Sequence, residues 1–230
     1  MMRLDAEPLH TRVLDIGQAI LAKNQGLADA LRAEFLSRGL FAINVVSSPG
    51  SGKTELLSRT IERIARDVST GVIVGDLATD NDARRLEGLG ARVIQVTTDG
   101  YCHLEANMVR AAAERLGLDE LQLLIIENVG NLVCPSSHDL GEDQRITLLS
   151  VTEGEDKPLK YPTIFKSANV VIVTKTDLAE AVEFKRHEAL DAIAWVAPQA
   201  RVFETSAKSG TGLDEWCEYL LTAVAAKKAI

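Results

Sequence analysis

From residue 41 onward the chain alternates short apolar runs with amphipathic stretches of helical period, and few folds accept that order. The runs at 41–46, 72–74, 93–96, 121–126, 146–151, 170–173 and 201–203 read as strands buried on both faces. The stretches at 53–67, 82–89, 104–116, 180–196 and 213–225 read as the helices between them. Strand and helix in alternation require right-handed crossovers. The expected fold is therefore α/β, a mostly parallel sheet flanked by helices, with ligands at the carboxyl ends of the strands. Ahead of it, Ile16, Ile20, Leu21, Leu27, Leu31 and Phe35 recur at helical spacing before Gly39, which predicts an N-terminal amphipathic helix over 13–35. The expected division is a helical extension, residues 1–40, packed on a core at 41–230, in a single domain overall.

A hydrophobic fraction of 46% is ample for one large core. No apolar run reaches the ~18 residues of a membrane span, and no signal-like apolar stretch follows Arg3, so the expected location is cytoplasmic. The net charge of -8, spread without a basic block, argues against nucleic acid or an anionic membrane as a partner. Three cysteines make no disulfide framework and read as thiols.

The first strand runs into "VVSSPGSGKTELL", Val45 to Leu57. Strand, loop and helix stand in the order that a phosphate cradle needs: glycines for close backbone approach, N–H groups at a helix N-terminus, and a long cation. Gly50, Ser51, Gly52 and Lys53 supply these, Thr54 supplies the hydroxyl that holds magnesium in such loops, and Glu55 opens the helix. This is P-loop NTPase architecture, although Ser47 stands where the strict pattern has its first glycine. Ser48 stands where one ATPase branch would need a second lysine.

Guanine is expected at the other end of the chain. "VVIVTKTDLAE" places Thr174, Lys175 and Asp177 just past a strand. A carboxylate at Asp177 can accept both the N1–H and the exocyclic amine of guanine, whereas adenine would leave it unpaired. "ETSAKSGTG" then offers the backbone N–H of Ala207 to the guanine carbonyl, flanked by Ser206 and Lys208. Thr174 replaces the asparagine usual in the first of these motifs. Between the two ends, Asp76, Asp82 and Glu127 are the acidic groups expected around magnesium and the attacking water. Glu127, opening "ENVG", is placed at or behind the metal through a water; Asp82 reads equally as a helix cap. No glutamine or arginine is evidently placed for the transition state, so unassisted GTP hydrolysis is expected to be slow.

"TTDGYCHLEANMV" sets Cys102 beside His103, and "NVGNLVCPSSHDLGED" contributes Cys134 followed by His138. Thiolate and imidazole select nickel or zinc over magnesium, and three such ligands are one short of a closed site unless a second chain completes it. The competing reading makes Cys102 and Cys134 ordinary buried cysteines, as is expected for Cys217 on the C-terminal helix.

"NVVSSPGSGKTELL", "CHLEANMV", "ENVGNLVCPSSHDLGED", "LLSVTEGEDKPLKYPTIF" and "TKTDL" together resemble the HypB family of nickel-incorporation GTPases, over nearly the whole chain. The resemblance implies a homodimer promoted by GTP and metal that delivers nickel, with zinc possible at the same site, during [NiFe] hydrogenase maturation. It implies a HypA-type chaperone and the hydrogenase large subunit precursor as partners. It also implies that Cys102, His103 and Cys134 are metal ligands at the dimer interface, and that Lys160 reaches the partner's nucleotide. Three departures stand out: Asp99 and Tyr101 where glycines are usual, His138 where phenylalanine is usual, and no N-terminal cysteine motif or histidine run. Rival readings are a GTPase for another metallocentre, such as urease, and a nucleotide-binding interaction module with incidental hydrolysis.

Overall fold

The computed structural model describes residues 9–77, 81–98 and 100–228, with side chains from residue 18 onward. Among the described residues seven strands form one sheet: β1 (Phe41–Val46), β2 (Thr70–Asp76), β3 (Ala91–Thr97), β4 (Leu123–Glu127), β5 (Gln144–Ser150), β6 (Val170–Thr174) and β7 (Arg201–Glu204). Their order is β3-β2-β4-β1-β5-β6-β7, and every pairing is parallel. The expected sheet is thus present. Burial on both faces holds at its centre, where all six residues of β1 are covered, but fails at the edges β3 and β7, which are half-exposed. Edge strands have a neighbour on one side only, and polar Arg92 and Gln95 suit β3 to that place.

The helices are α1 (Leu9–Ser37), α2 (Lys53–Ile64), α3 (Asn81–Leu86), α4 (Ala106–Leu116), α5 (Lys157–Lys160), α6 (Pro162–Lys166), α7 (Arg186–Val196) and α8 (Leu213–Lys228). On one face α2, α3 and α8 bring Leu57, Ile61, Leu86, Trp216 and Leu220 against Ile43, Val45 and Val72. On the other, α1 and α4 cover Ile73, Leu124 and Ile126 with Phe35, Val109 and Leu116. Beside them α6 and α7 cover Leu149, Val171 and Val173 with Ile164, Phe165 and Ile193. Truncating a fully buried side chain such as Ile61 to alanine would cost about 2–5 kcal/mol through lost transfer energy and the cavity left behind. The Trp216 indole N–H, inside the first cluster, donates to Thr60 Oγ1 at 3.0 Å, so the ring is buried without an orphaned donor.

Several expected boundaries move. The helix expected over 180–196 starts only at Arg186, because Glu183 has φ 53° and the Phe184 N–H closes a turn onto the Ala179 carbonyl. The helix expected over 82–89 is shorter, since Gly88 and Gly90 sit at positive φ. The strand expected over 121–126 is shifted to end on Glu127, which carries that carboxylate to the rim of the sheet. Helices α5 and α6 are absent from the sequence reading: at four and five residues, each with a proline in its first turn, they are too short to show a period. Of the apolar residues read along α1, Leu31 and Phe35 are buried and Leu27 packs partly, while Ile20 and Leu21 are exposed; the side chain of Ile16 lies outside the described residues.

Because all strands run one way, their carboxyl ends share one rim. The last residues of β2, β4 and β6, the loops after β1, β3, β4, β6 and β7 and the helix starts that follow the strands carry every site residue expected from sequence except Lys160, which lies on α5.

Candidate functional site

The loop between β1 and α2 is shaped by its glycines. Gly52, the residue before α2, has φ 89° and Gly50 has φ 73°, a region that L side chains rarely adopt. Ser47, in place of the missing first glycine, is buried and active in the loop: its Oγ donates to the Ser48 carbonyl at 2.7 Å and accepts from Lys53 Nζ at 3.0 Å. Burial lowers the Lys53 pKa, while Glu127, Asp82, Glu153 and Asp76 pull it back up.

Thr54 and Glu127 meet at the floor of this cleft, which encloses about 470 Å³. Thr54 Oγ1 donates to Glu127 Oε1 at 2.7 Å, and Glu127 Oε2 is buried with no hydrogen-bond partner. Burial pushes the Glu127 carboxyl from its ordinary 4.5 up to about 7, against the pull of Lys53 and the Thr54 hydroxyl. A buried carboxylate oxygen without a partner, beside a threonine hydroxyl, is what a magnesium ion or its water would satisfy. Asp76 and Asp82 line the same cleft. So does Arg85, which sequence reasoning missed although it lies three residues after Asp82, on the same face of α3. Asn128 and Gly130 continue the lining; a Cβ at Gly130 would stand 3.0 Å from Pro49 Cα, so "ENVG" presses directly on the phosphate loop. Glu153 was also missed. It accepts from Ser51 Oγ at 3.2 Å and closes a capping box with Ser150, which the "SVTE" spacing could have revealed.

The base motifs dock onto the same loop. Thr174 Oγ1 donates to the Ser51 carbonyl at 2.7 Å and Lys175 Nζ to the Gly50 carbonyl at 2.6 Å. The threonine that replaces asparagine thus still ties this motif to the phosphate loop. Ser206 Oγ donates to Asp177 Oδ1 at 2.6 Å, which links the two base motifs. Between them lies a cleft of about 230 Å³ lined by Gly52, Glu55, Thr174, Asp177, Ala207 and Lys208, among others. Lys160 lines neither cleft; it is exposed and paired with Asp156 at 2.6 Å.

The soft ligands converge beside these clefts. One ligand atom from each of Cys102, His103 and Cys134 lies within 4.8 Å of the other two, all three residues being half-buried. A hydrogen bond with the Cys134 thiol raises the Cys102 pKa, and burial adds to it. Burial lowers the His103 pKa, as does the neighbouring His138 ring. The two rings stand 3.9 Å apart, so the residue that replaces phenylalanine belongs to this cluster. Exposed Tyr101 and Val133 flank it, while Asp99 lies outside the described residues. Asn128 joins the cluster to the nucleotide cleft: its Oδ1 accepts from the Leu104 N–H at 3.0 Å, one residue from His103. Asn24 of α1 spans both ligand loops, donating to the Asp139 carbonyl and accepting from the Ala106 N–H, each at 2.8 Å. Cys217 is buried in the α8 core, its thiol pushed up to about 11 by burial.

The chain matches the family described as "CobW/HypB/UreG, nucleotide-binding domain" over residues 41–204. It is 46% identical to hydrogenase maturation factor HypB of Escherichia coli (strain K12) across 211 residues, covering 92% of this chain and 73% of that protein. To hydrogenase maturation factor HypB of Azotobacter vinelandii it is 48% identical across 210 residues, covering 91% and 69%. The crystal structure of HypB from Helicobacter pylori in complex with nickel is similar to it with a TM-score of 0.85 at 40% identity, covering 90% of this chain and 97% of that one. No helix among the described residues is long and apolar enough to cross a membrane.

Proposed function

The chain belongs to the HypB family, within the CobW/HypB/UreG nucleotide-binding domains, and on that premise we propose that it is a GTP-hydrolysing metallochaperone for [NiFe] hydrogenase maturation. Its cargo is nickel, with zinc able to occupy the same ligands. The observation that carries this reading is the connection between two chemistries on one rim: the segment from Glu127 to Cys134 begins at the Thr54 hydroxyl and ends at the thiols, with Asn128 bonded to the His103 loop on the way.

In this reading Gly50, Ser51 and Gly52 offer backbone N–H groups to the phosphates, and Lys53 adds its charge. Thr54 and Glu127 would hold the magnesium ion. The ion, when bound, would neutralise the charge that develops on the phosphates. Asp76 and Asp82 would add negative charge around that ion, and Asp177 selects guanine while Ala207 offers its N–H to the base. Turnover is slow in the isolated chain, since "ENVG" has no glutamine to position water.

Cys102, His103 and Cys134 supply three ligands per chain, and a second chain completes the site at a dimer axis past Tyr101 and Val133. GTP and metal both favour that dimer, in which Lys160 reaches the partner's nucleotide. A HypA-type chaperone and the hydrogenase large subunit precursor are the partners, in the cytoplasm, with the 1–40 helical extension packed on the GTPase domain at 41–230. No nucleic acid and no membrane takes part.

The test is phosphate release with GTP and with ATP, joined to nickel and zinc titration in GDP and in a non-hydrolysable GTP analogue with oligomeric state read in the same samples. The expected result is hydrolysis of GTP alone, one thiolate-bound metal per dimer, and tighter binding of that metal in the analogue, with metal promoting dimerisation to the same degree. If Cys134→Ala keeps the parent's thiolate-to-nickel charge-transfer absorption and its nickel affinity, the shared site is refuted.

A further inference from the structure

A second group of ligands stands against the first. One ligand atom from each of His103, Glu105 and His138 also lies within 4.8 Å of the other two. His103 belongs to both groups, and opposite edges of its ring face one member of each. Its Nδ1 lies 3.8 Å from Cys102 Sγ, whereas its Nε2 lies 4.0 Å from Glu105 Oε1. That Nε2 is buried and has no hydrogen-bond partner. A buried polar atom left in this state is costly, so it marks a position where a ligand is due.

His138 is held as a ligating imidazole is held. Its Nδ1 lies 3.0 Å from the Cys134 carbonyl oxygen. A carbonyl can only accept, so Nδ1 carries the proton, and in the neutral ring Nε2 keeps its lone pair. Ligating histidines are oriented in this way, the far N–H donated to a backbone carbonyl. The neighbouring rings, 3.9 Å apart and tilted by 35°, could not both be charged at low cost, whereas two neutral imidazoles and a carboxylate suit a divalent cation.

We propose that His103, Glu105 and His138 form a second divalent-cation position in each chain, free of thiolate, that takes nickel or zinc next to the cysteine cluster. Two imidazoles and one carboxylate are a borderline donor set, harder than a thiolate pair, and a cation held there is released more readily than from the sulfurs. The position goes beyond the function proposed above and does not depend on it, since its ligands include no cysteine and come from one chain.

The experiment is titration of the full chain carrying Cys102→Ser and Cys134→Ser with Ni2+ alone and Zn2+ alone, by equilibrium dialysis and elemental analysis. One ion per chain is expected, without the thiolate-to-nickel charge-transfer absorption. Adding His138→Phe, or separately Glu105→Gln, should weaken this binding by more than about tenfold. His187→Ala, on the exposed surface of α7, should leave it unchanged. The proposal is overturned if the double cysteine variant takes up no metal, or if the Glu105→Gln change leaves its affinity as it was. Glu105→Gln decides the matter should His138→Phe fail to fold. The parent's charge-transfer absorption judges the cysteine site separately, so the two readings fail independently.

Discussion

Thr54 Oγ1 and Glu127 Oε1 are joined by a 2.7 Å hydrogen bond between the first turn of α2 and the end of β4, with Glu127 only 2% exposed. Register explains the meeting: Glu127 pairs with Val45 of β1, two residues before the phosphate loop begins. The carboxylate is therefore delivered by the sheet to the residue that holds magnesium in the proposed mechanism.

That burial sets a pH dependence. With its pKa raised from 4.5 to about 7, the Glu127 carboxyl holds its proton more tightly in the folded chain than in the unfolded one. Its contribution to stability is full below about 4.5 and is lost as pH rises to about 7. In nucleotide-free protein without magnesium, Glu127→Gln should remove that loss. At pH 8 the variant should be more stable than the parent by on the order of 2 kcal/mol, with little difference at pH 4.5. Thermal melts at the two pH values check this, and GTP hydrolysis by the variant should be abolished.

Asp177 is held by Ser206 at 2.6 Å on the edge of the base cleft. Asp177→Asn turns one acceptor into a donor facing guanine's own donors. GTP affinity should fall about a hundredfold or more, while xanthosine triphosphate, with the complementary edge, should gain. Equal GTP binding by parent and variant, in competition assays, would remove Asp177 from the site.

Lys160 is exposed and engaged with Asp156 of its own chain. Lys160→Ala should leave the melting temperature of the monomer unchanged, as loss of a surface pair usually does. GTP-dependent dimerisation, followed by light scattering, should weaken, because only a dimer could bring this cation to a nucleotide. Unchanged dimerisation would make it a surface lysine.

Asn24 is 7% exposed and bridges the loop of His103 to the loop of Cys134 and His138. Asn24→Leu keeps the volume but leaves the Ala106 N–H and the Asp139 carbonyl without this partner. Metal affinity should drop several-fold with GDP affinity unaltered, the two being read by separate titrations. An equal loss of both would mean general destabilisation rather than misplacement of the ligand loops.

Much of this site was legible in the chain because its motifs are local. "GSGKT" encodes a turn at positive φ followed by a helix, and "TKTD" and "TSAK" each encode the exit of one strand; such backbone needs act within a few residues and leave a residue-type signature. The alternation of apolar runs with helical periods likewise specified a parallel sheet, since burial of each run is imposed by its own composition. Where interactions within one segment set the outcome, sequence sufficed.

Tertiary structure alone decided what meets what. Arg85 facing the phosphate cleft, Glu153 on Ser51 and Asn24 clasping two loops each depend on where separate segments pack. The strand order is the cause. Placing β4 between β2 and β1 brings Glu127 to Thr54 and sets the loops after β3 and β4 together, so that the His138 ring lies against His103 although their segments are remote in the chain. The protonation of Glu127 follows from the same packing, because a pKa responds to burial and neighbours that no local pattern records.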